Sequence, residues 1–234
     1  MLGWFRGRRR AAPGIDERTP INEVAYAVID TELTGLDGKT DSILSFGAVR
    51  MQGGRIGIGD AFYRLVSPKA AMKAENVVIH EITPSEVAAK PAIEAVLPEF
   101  LAYCGEAVLV GHLIAIDMEF LDRDARRVLG SPVPNARIDT FSIFIWLRKR
   151  YKTHPCFSAP LPSASLYDLA KCFGVPVGSA HNALMDAFMT AQLFQRFLPL
   201  LLATGARDMG DLLRIGIPFK GGDIHKLTGE ISNF

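Results

Sequence analysis

Val24-Ala25-Tyr26-Ala27-Val28-Ile29-Asp30-Thr31 decides the fold. The run is apolar from Val24 to Ile29, which predicts a strand buried on both faces, and it leaves the core on two polar residues. Thr34-Gly35-Leu36-Asp37-Gly38 then reads as a turn. Residues 43–51 predict a second strand, Gln52-Gly53-Gly54 a tight connection, and residues 55–66 a third strand, so the three form an antiparallel meander. Beyond residue 75 the apolar spacing becomes helical. Ile93, Val96, Leu97, Phe100 and Leu101 share one side of a helix over 93–103. Val108–Gly111 predicts a short buried strand, 117–129 an amphipathic helix, and 137–141 a last strand. Pro155, Pro160 and Pro162 make 151–164 a loop; 166–173 is a helix stopped at Gly174, and a long helix runs from 182 to about 202. This order predicts one α/β domain over residues 21–204, a mixed five-stranded sheet flanked by helices. Residues 1–20 are expected to form a flexible basic tail, and 205–234 a C-terminal extension with no readable chemistry.

The chain has 234 residues, 26 Lys+Arg and 25 Asp+Glu, for a net charge of +1. That balance argues against a broad basic surface that wraps nucleic acid, while leaving room for a small site that grips one strand end. With 49% hydrophobic and 22% charged residues, the composition is that of a globular protein, which excludes disorder over most of the chain. Cys104, Cys156 and Cys172 are odd in number and none is spaced as a CxxC pair, so neither a disulfide framework nor a structural zinc site is expected; this fits a reducing cytoplasm. No apolar run approaches the roughly 20 residues of a membrane span. Arg6, Arg8, Arg9 and Arg10, with Trp4 and Phe5, suit a solvated tail, or contact with a phosphate backbone or anionic lipid.

Four acids and one histidine carry the chemistry. Asp30 and Glu32 are two apart on a strand and project from one face. Asp117 opens a helix after Val108–Gly111, and Asp186 lies among Ala183, Leu184, Ala187 and Phe188. A carboxylate among apolar neighbours is costly unless paired or metal-bound. His181, five residues before Asp186, is about 140° away on a continuous helix, so it is expected on the loop ahead of it. All-oxygen ligation suits a hard cation, Mg²⁺ or Mn²⁺, rather than zinc. Two such ions about 4 Å apart stabilise both the attacking and leaving oxygens of a phosphodiester. A nearby histidine can take the proton from the attacking water.

These residues, in this order, resemble the DEDDh, or DnaQ-like, family of 3′–5′ exonucleases. Asp30-Thr31-Glu32-Leu33-Thr34-Gly35-Leu36 matches its DxExTGL pattern, and His181-Asn182-Ala183-Leu184-Met185-Asp186-Ala187 its HxAxxDA signature. Gly111-His112 and Asp117 stand for the middle motif, with lesser echoes at Phe46-Gly47-Ala48-Val49, Ile79-His80-Glu81-Ile82-Thr83, Ile138-Asp139-Thr140 and Leu166-Tyr167-Asp168-Leu169-Ala170. The resemblance covers about residues 24–200. It implies a ribonuclease H-like fold, with Asp30, Glu32 and Asp186 on a first metal ion and Asp30 and Asp117 on a second. His181 would be the general base, and Leu33, Thr34, Gly35, Leu36 and His112 the substrate side. It further implies hydrolysis at the 3′ end of single-stranded nucleic acid, DNA favoured, releasing nucleoside 5′-monophosphates, and a DNA polymerase partner. The sequence departs from the family at Leu113, where Asn is usual, at Ile116 for Phe, at Ser45 for an acid or Gln, and at Glu81 for Gly.

Other readings stay open at this point. The same chemistry could act on RNA or short oligoribonucleotides, and Leu113 admits a non-catalytic end-binding or polymerase accessory module. Arg148, Lys149, Arg150 and Lys152 could steer a single strand or simply complement a helix end. Phe194, Phe197, Leu198, Leu200, Leu201 and Leu202 suit core packing, or a partner or homodimer surface. His80 and His112 read as structural on their own.

Overall fold

The computed structural model describes residues 16–158, 165–178 and 181–219. Of the sequence-predicted tail over residues 1–20, residues 1–15 with Arg6, Arg8, Arg9 and Arg10 lie outside them, as do the extension beyond residue 219 and the prolines at 160 and 162. Residues 16–20 are instead tied down, the Met209 N–H donating to the Thr19 carbonyl at 2.9 Å and the Gly210 N–H to the Glu17 carbonyl at 2.8 Å.

Five strands form one sheet: β1 (Ala25–Leu33), β2 (Ile43–Gln52), β3 (Arg55–Leu65), β4 (Val108–Gly111) and β5 (Arg137–Asp139). Their order is β3-β2-β1-β4-β5, antiparallel among the first three and parallel from β1 through β4 to β5. The helices are α1 (Ala74–His80), α2 (Pro84–Val87), α3 (Ile93–Cys104), α4 (Ala115–Leu129), α5 (Thr140–Arg148), α6 (Pro155–Ser158), α7 (Leu166–Cys172), α8 (Ala183–Ala203) and α9 (Met209–Ile215). This is the expected mixed sheet flanked by helices. Among the described residues no helix is long and apolar enough to cross a membrane.

The central strand explains the layers. Tyr26 and Val28 pack into a core with Phe144 of α5, Leu169 of α7 and Phe194 of α8. Ala27 and Ile29, pointing the other way, pack with Leu97 and Phe100 of α3 and Phe120 and Leu121 of α4. β1 is therefore apolar on both faces because both are covered. Its alternation also sorts the polar residues that end it. Asp30 and Glu32 share the parity of Tyr26 and Val28 and face α8; Thr31 faces α4.

Gly47 sets how closely α8 approaches. It pairs with Asp30 across β1 and β2. A Cβ there would stand 2.1 Å from the Ala183 carbonyl carbon and oxygen and 2.3 Å from the Leu184 nitrogen, all backbone of the first turn of α8. Gly47→Ala must push back the turn that carries Asp186. We expect a loss of about 1–3 kcal/mol, read as a melting temperature lower by roughly 2–12 °C, and weaker Mn²⁺ binding in titration calorimetry.

Glu81 closes α1 in the left-handed region at φ 58, its N–H donating to the Val77 carbonyl at 2.9 Å. A side chain there costs about 1–2 kcal/mol, and the greater chain freedom of glycine offsets roughly half of any relief. Glu81→Gly is expected to raise the melting temperature by about 1–4 °C, which thermal unfolding followed by circular dichroism would check.

Four further sequence expectations change. Residues 140–141 leave the sheet and open α5, because the Asp139 side chain accepts from the Phe141 N–H and caps the helix. The 151–164 segment contains α6, which begins at Pro155. Residues beyond 204 contribute α9, whose Met209 and Leu212 are buried in the core. Cys156 and Cys172 are disulfide-bonded, with Cα atoms 5.5 Å apart, while Cys104 is free and buried. The fold brings together two cysteines 16 residues apart that no spacing rule pairs.

At the end of α8, Phe194, Phe197, Leu198 and Leu201 are core residues. In the basic run, Arg148 Nε donates to the Phe157 carbonyl at 3.2 Å, and the Arg150 guanidinium lies 3.4 Å from the Trp146 ring centroid.

Candidate active site

The four acids arrive from three elements. β1 supplies Asp30 and Glu32, the first turn of α4 supplies Asp117, and the first turn of α8 supplies Asp186. One carboxylate oxygen from each of Asp30, Glu32 and Asp186 lies within 4.8 Å of the others. Asp117 stands outside that group, on the α4 side of β1. Its Oδ1 accepts from the Thr31 N–H at 2.9 Å and from the Thr31 hydroxyl at 2.6 Å.

Asp30, Glu32 and Asp117 line a cavity of about 290 Å³, together with Leu33, Gly35, Leu36 and His112. Two larger concavities, about 640 and 1190 Å³, lie elsewhere, and none of the four acids lines either.

These carboxyls resist ionisation together. Burial, then the neighbouring Asp117, Glu32 and Asp186, raises Asp30 well above the ordinary carboxylate range. Burial, then Asp186 and Asp117, pushes Glu32 up to about 8. Burial raises Asp117 and Asp186 to about 6, against the hydrogen bonds from Thr31 and Tyr167 respectively. A group of acids that repel one another in a half-buried site, with all-oxygen donors, fits a hard divalent cation, which would relieve that repulsion.

His181 lies off α8, at φ 59, one residue before the N-cap Asn182. The Asn182 side chain accepts from the N–H groups of Leu184 and Met185, which starts the helix at Ala183 and leaves His181 on the preceding loop. Histidine is one of the side chains enriched in this left-handed region. Burial lowers the pKa of its imidazole, so the ring is held neutral over a wider pH range.

The turn after Glu32 is built around Asp41. Its carboxylate accepts from the Thr34 hydroxyl at 3.1 Å and the Asp37 N–H at 2.9 Å. A Cβ on Gly35 would stand 2.4 Å from this carboxylate. Thr34 is fully buried, and its hydroxyl also accepts from the Ser42 N–H. Thr34 thus shapes the turn from behind, while Leu36, 56% exposed, is presented at the cavity. His112 Nδ1 is 2.9 Å from the Thr140 hydroxyl, which fixes the ring at the cavity wall.

Leu113 takes φ 53, and its N–H donates to Asp139 Oδ1 at 3.2 Å. Its side chain joins the core on the α8 side of the sheet. The departure from the usual Asn therefore fills apolar space.

Three further residues contribute: Asn76, which sequence reasoning missed, and Asp139 and Tyr167, which it placed only within lesser echoes of the family. Asn76 of α1 donates from its side-chain amide to the Thr34 carbonyl and lines the cavity. Buried Asp139 holds both Leu113 and the start of α5, and burial pushes it up to about 7. Tyr167 of α7 donates to the Asp186 carboxylate. Asp139 also carried a local signal, an acid just ahead of the apolar run that becomes α5.

With this geometry in place, comparison with known proteins is direct. The family described as Exonuclease (RNase_T) matches residues 27–194. The chain belongs to this exonuclease family. The epsilon subunit of DNA polymerase III from Aquifex aeolicus is 32% identical over 173 residues, covering 74% of this chain and 80% of that subunit. The PolC-type DNA polymerase III of Thermotoga maritima is 30% identical over 201 residues, covering 86% of this chain but 14% of that polymerase. The exonuclease chain thus corresponds to a small part of the PolC-type relatives it matches. Among solved structures, E. coli Exonuclease I in complex with a dT13 oligonucleotide aligns with a TM-score of 0.66 at 19% identity, over 78% of this chain and 43% of that one. That likeness bears on the fold, which is the ribonuclease H-like arrangement expected of DnaQ-like exonucleases.

Proposed function

We propose that the chain hydrolyses phosphodiester bonds at the 3′ end of single-stranded DNA and releases nucleoside 5′-monophosphates. The observation that carries this reading is the convergence of Asp30, Glu32 and Asp186 within 4.8 Å. Asp30, Glu32 and Asp186 would hold one Mg²⁺ or Mn²⁺, and Asp30 with Asp117 a second. Bound there, the two cations supply the positive charge that a phosphodiester and its attacking water need. His181 accepts the proton of that water, a role helped by burial that keeps the imidazole neutral. Leu33, Gly35, Leu36 and His112 surround the terminal nucleotide, with Leu36 offering apolar contact to its base and Thr34 holding the turn in shape. The similarity to an epsilon subunit supports service beside a DNA polymerase in the cytoplasm.

The test is a 5′-labelled single-stranded oligonucleotide incubated with purified protein and Mg²⁺ or Mn²⁺. The expected result is a ladder shortening from the 3′ end, stopped by a chelator, with DNA degraded faster than matched RNA. Faster loss of RNA would reassign the substrate. No turnover of DNA or RNA in either metal would overturn the reading.

A further inference from the structure

Tyr167 lies outside the acids and histidine that perform the proposed chemistry, yet it touches two of them. It is the second residue of α7, whose Leu166, Leu169 and Ala170 are buried in the core, so the ring is carried on an anchored element. Its hydroxyl lies 2.8 and 2.7 Å from the two oxygens of Asp186, donating one proton shared between them. The same oxygen accepts the backbone N–H of His181 at 2.7 Å. The rings of Tyr167 and His181 stand with centroids 5.3 Å apart, inclined at 55°.

This arrangement is specific. His181 lies on a loop at φ 59, a conformation a non-glycine residue keeps only when its surroundings enforce it. The Tyr167 hydroxyl accepts its N–H at 2.7 Å, and the Asp186 carboxylate behind that hydroxyl also feels the same N–H. The other side of that hydroxyl is fixed by Asp186, itself in the carboxylate cluster. One oxygen thus spans the loop and the helix, and it sets the distance between the imidazole and the acids.

We propose that Tyr167 is a positioning residue that fixes His181 relative to Asp186 through its hydroxyl. The proposal rests on the exonuclease reading for its kinetic consequence, but the bridge itself can be tested without turnover.

Tyr167→Phe removes only the bridging oxygen. In metal-free protein, the amide of His181 is expected to exchange with solvent at least about tenfold faster in the variant, measured by NMR, with the amides of α8 unchanged. In single-turnover hydrolysis the cleavage rate should fall about 10- to 100-fold, with the concentration giving half-maximal rate little changed. In a His181→Asn background the same change should cost less than about twofold, because the group being positioned is gone. Three outcomes would overturn the proposal: unchanged exchange at His181, an unchanged cleavage rate, or a loss that persists in the His181→Asn background. The last would place the effect on Asp186 or on the fold. If the wild type shows no turnover while His181 exchange responds as expected, the exonuclease reading fails and the bridge stands without a kinetic role.

Discussion

Asp30→Asn is expected to reduce cleavage to below about one-thousandth of the wild-type rate, a loss of about 4 kcal/mol in transition-state stabilisation, while making the metal-free protein more stable at pH 8. Both effects follow from one position. Asp30 lies between the other acids: Glu32 and Asp186 on the α8 side of β1, and Asp117 on the α4 side. It is the carboxylate assigned to both cations. Asparagine keeps the shape and one oxygen but removes the charge that would hold them.

The stability effect has a definite sign. Asp30 is raised well above the ordinary range and Glu32 to about 8, so between about pH 4 and 8 the folded protein retains protons that the unfolded chain has released. Stability contributed by these groups is therefore present at low pH and lost as pH rises through that window. Asparagine removes the penalty that Asp30 contributes. Comparing variant with wild type cancels acids that behave oppositely, such as Glu94, which Lys69 and Arg127 hold down near 2.

The metal-free variant should melt several degrees above wild type at pH 8, by clearly less at pH 5, and close to it near pH 4. Mn²⁺ at about 100 times its dissociation constant adds roughly 2.7 kcal/mol to a protein that binds it only when folded, about 5–10 °C for a chain of this length. Wild type should show that rise and Asp30→Asn should not. A metal-free wild type equally stable relative to the variant at pH 5 and 8 would contradict the electrostatic account. Full cleavage by the variant would remove Asp30 from the chemistry.

The sequence carried much of this. β1 was readable because a strand covered on both faces must be apolar throughout, and its period of two placed Asp30 and Glu32 together without a structure. Asp186 stood out as an acid among apolar neighbours, and His181 as a residue misaligned with it on a helix. Elsewhere local pattern misled or fell silent. Ile138 and Phe141 look like one strand, but Asp139 caps the backbone between them and turns it into α5. Pro155 reads as a breaker and is the first residue of α6, where its missing N–H costs nothing. The pairing of Cys156 with Cys172, and of Tyr167 with Asp186 and His181, depends on how α6, α7 and α8 pack, and no spacing encodes it. Leu113 reads as a departure from the usual Asn that admits a non-catalytic module, whereas its side chain completes the core on the α8 side.

His181→Asn is expected to lower the cleavage rate by about 10²- to 10⁴-fold, with Mn²⁺ affinity within about threefold of wild type. Asparagine suits this test better than alanine. At φ 59 alanine adds backbone strain of about 1–2 kcal/mol, whereas asparagine tolerates the left-handed region and cannot act as a base near neutral pH. The carboxylate cluster excludes His181, so ion binding should survive while proton transfer does not. The pH profile separates the roles further. Burial lowers the His181 pKa, so the rise in kcat/KM that reports deprotonation of the base should fall below the ordinary histidine value of about 6.5. That rise should vanish in His181→Asn, leaving whatever limb the carboxylates impose. Added imidazole should restore part of the rate, because it replaces the missing base without replacing its tether. A variant that keeps the wild-type profile would assign the proton to another group. One that loses Mn²⁺ binding as well would make His181 part of the metal site.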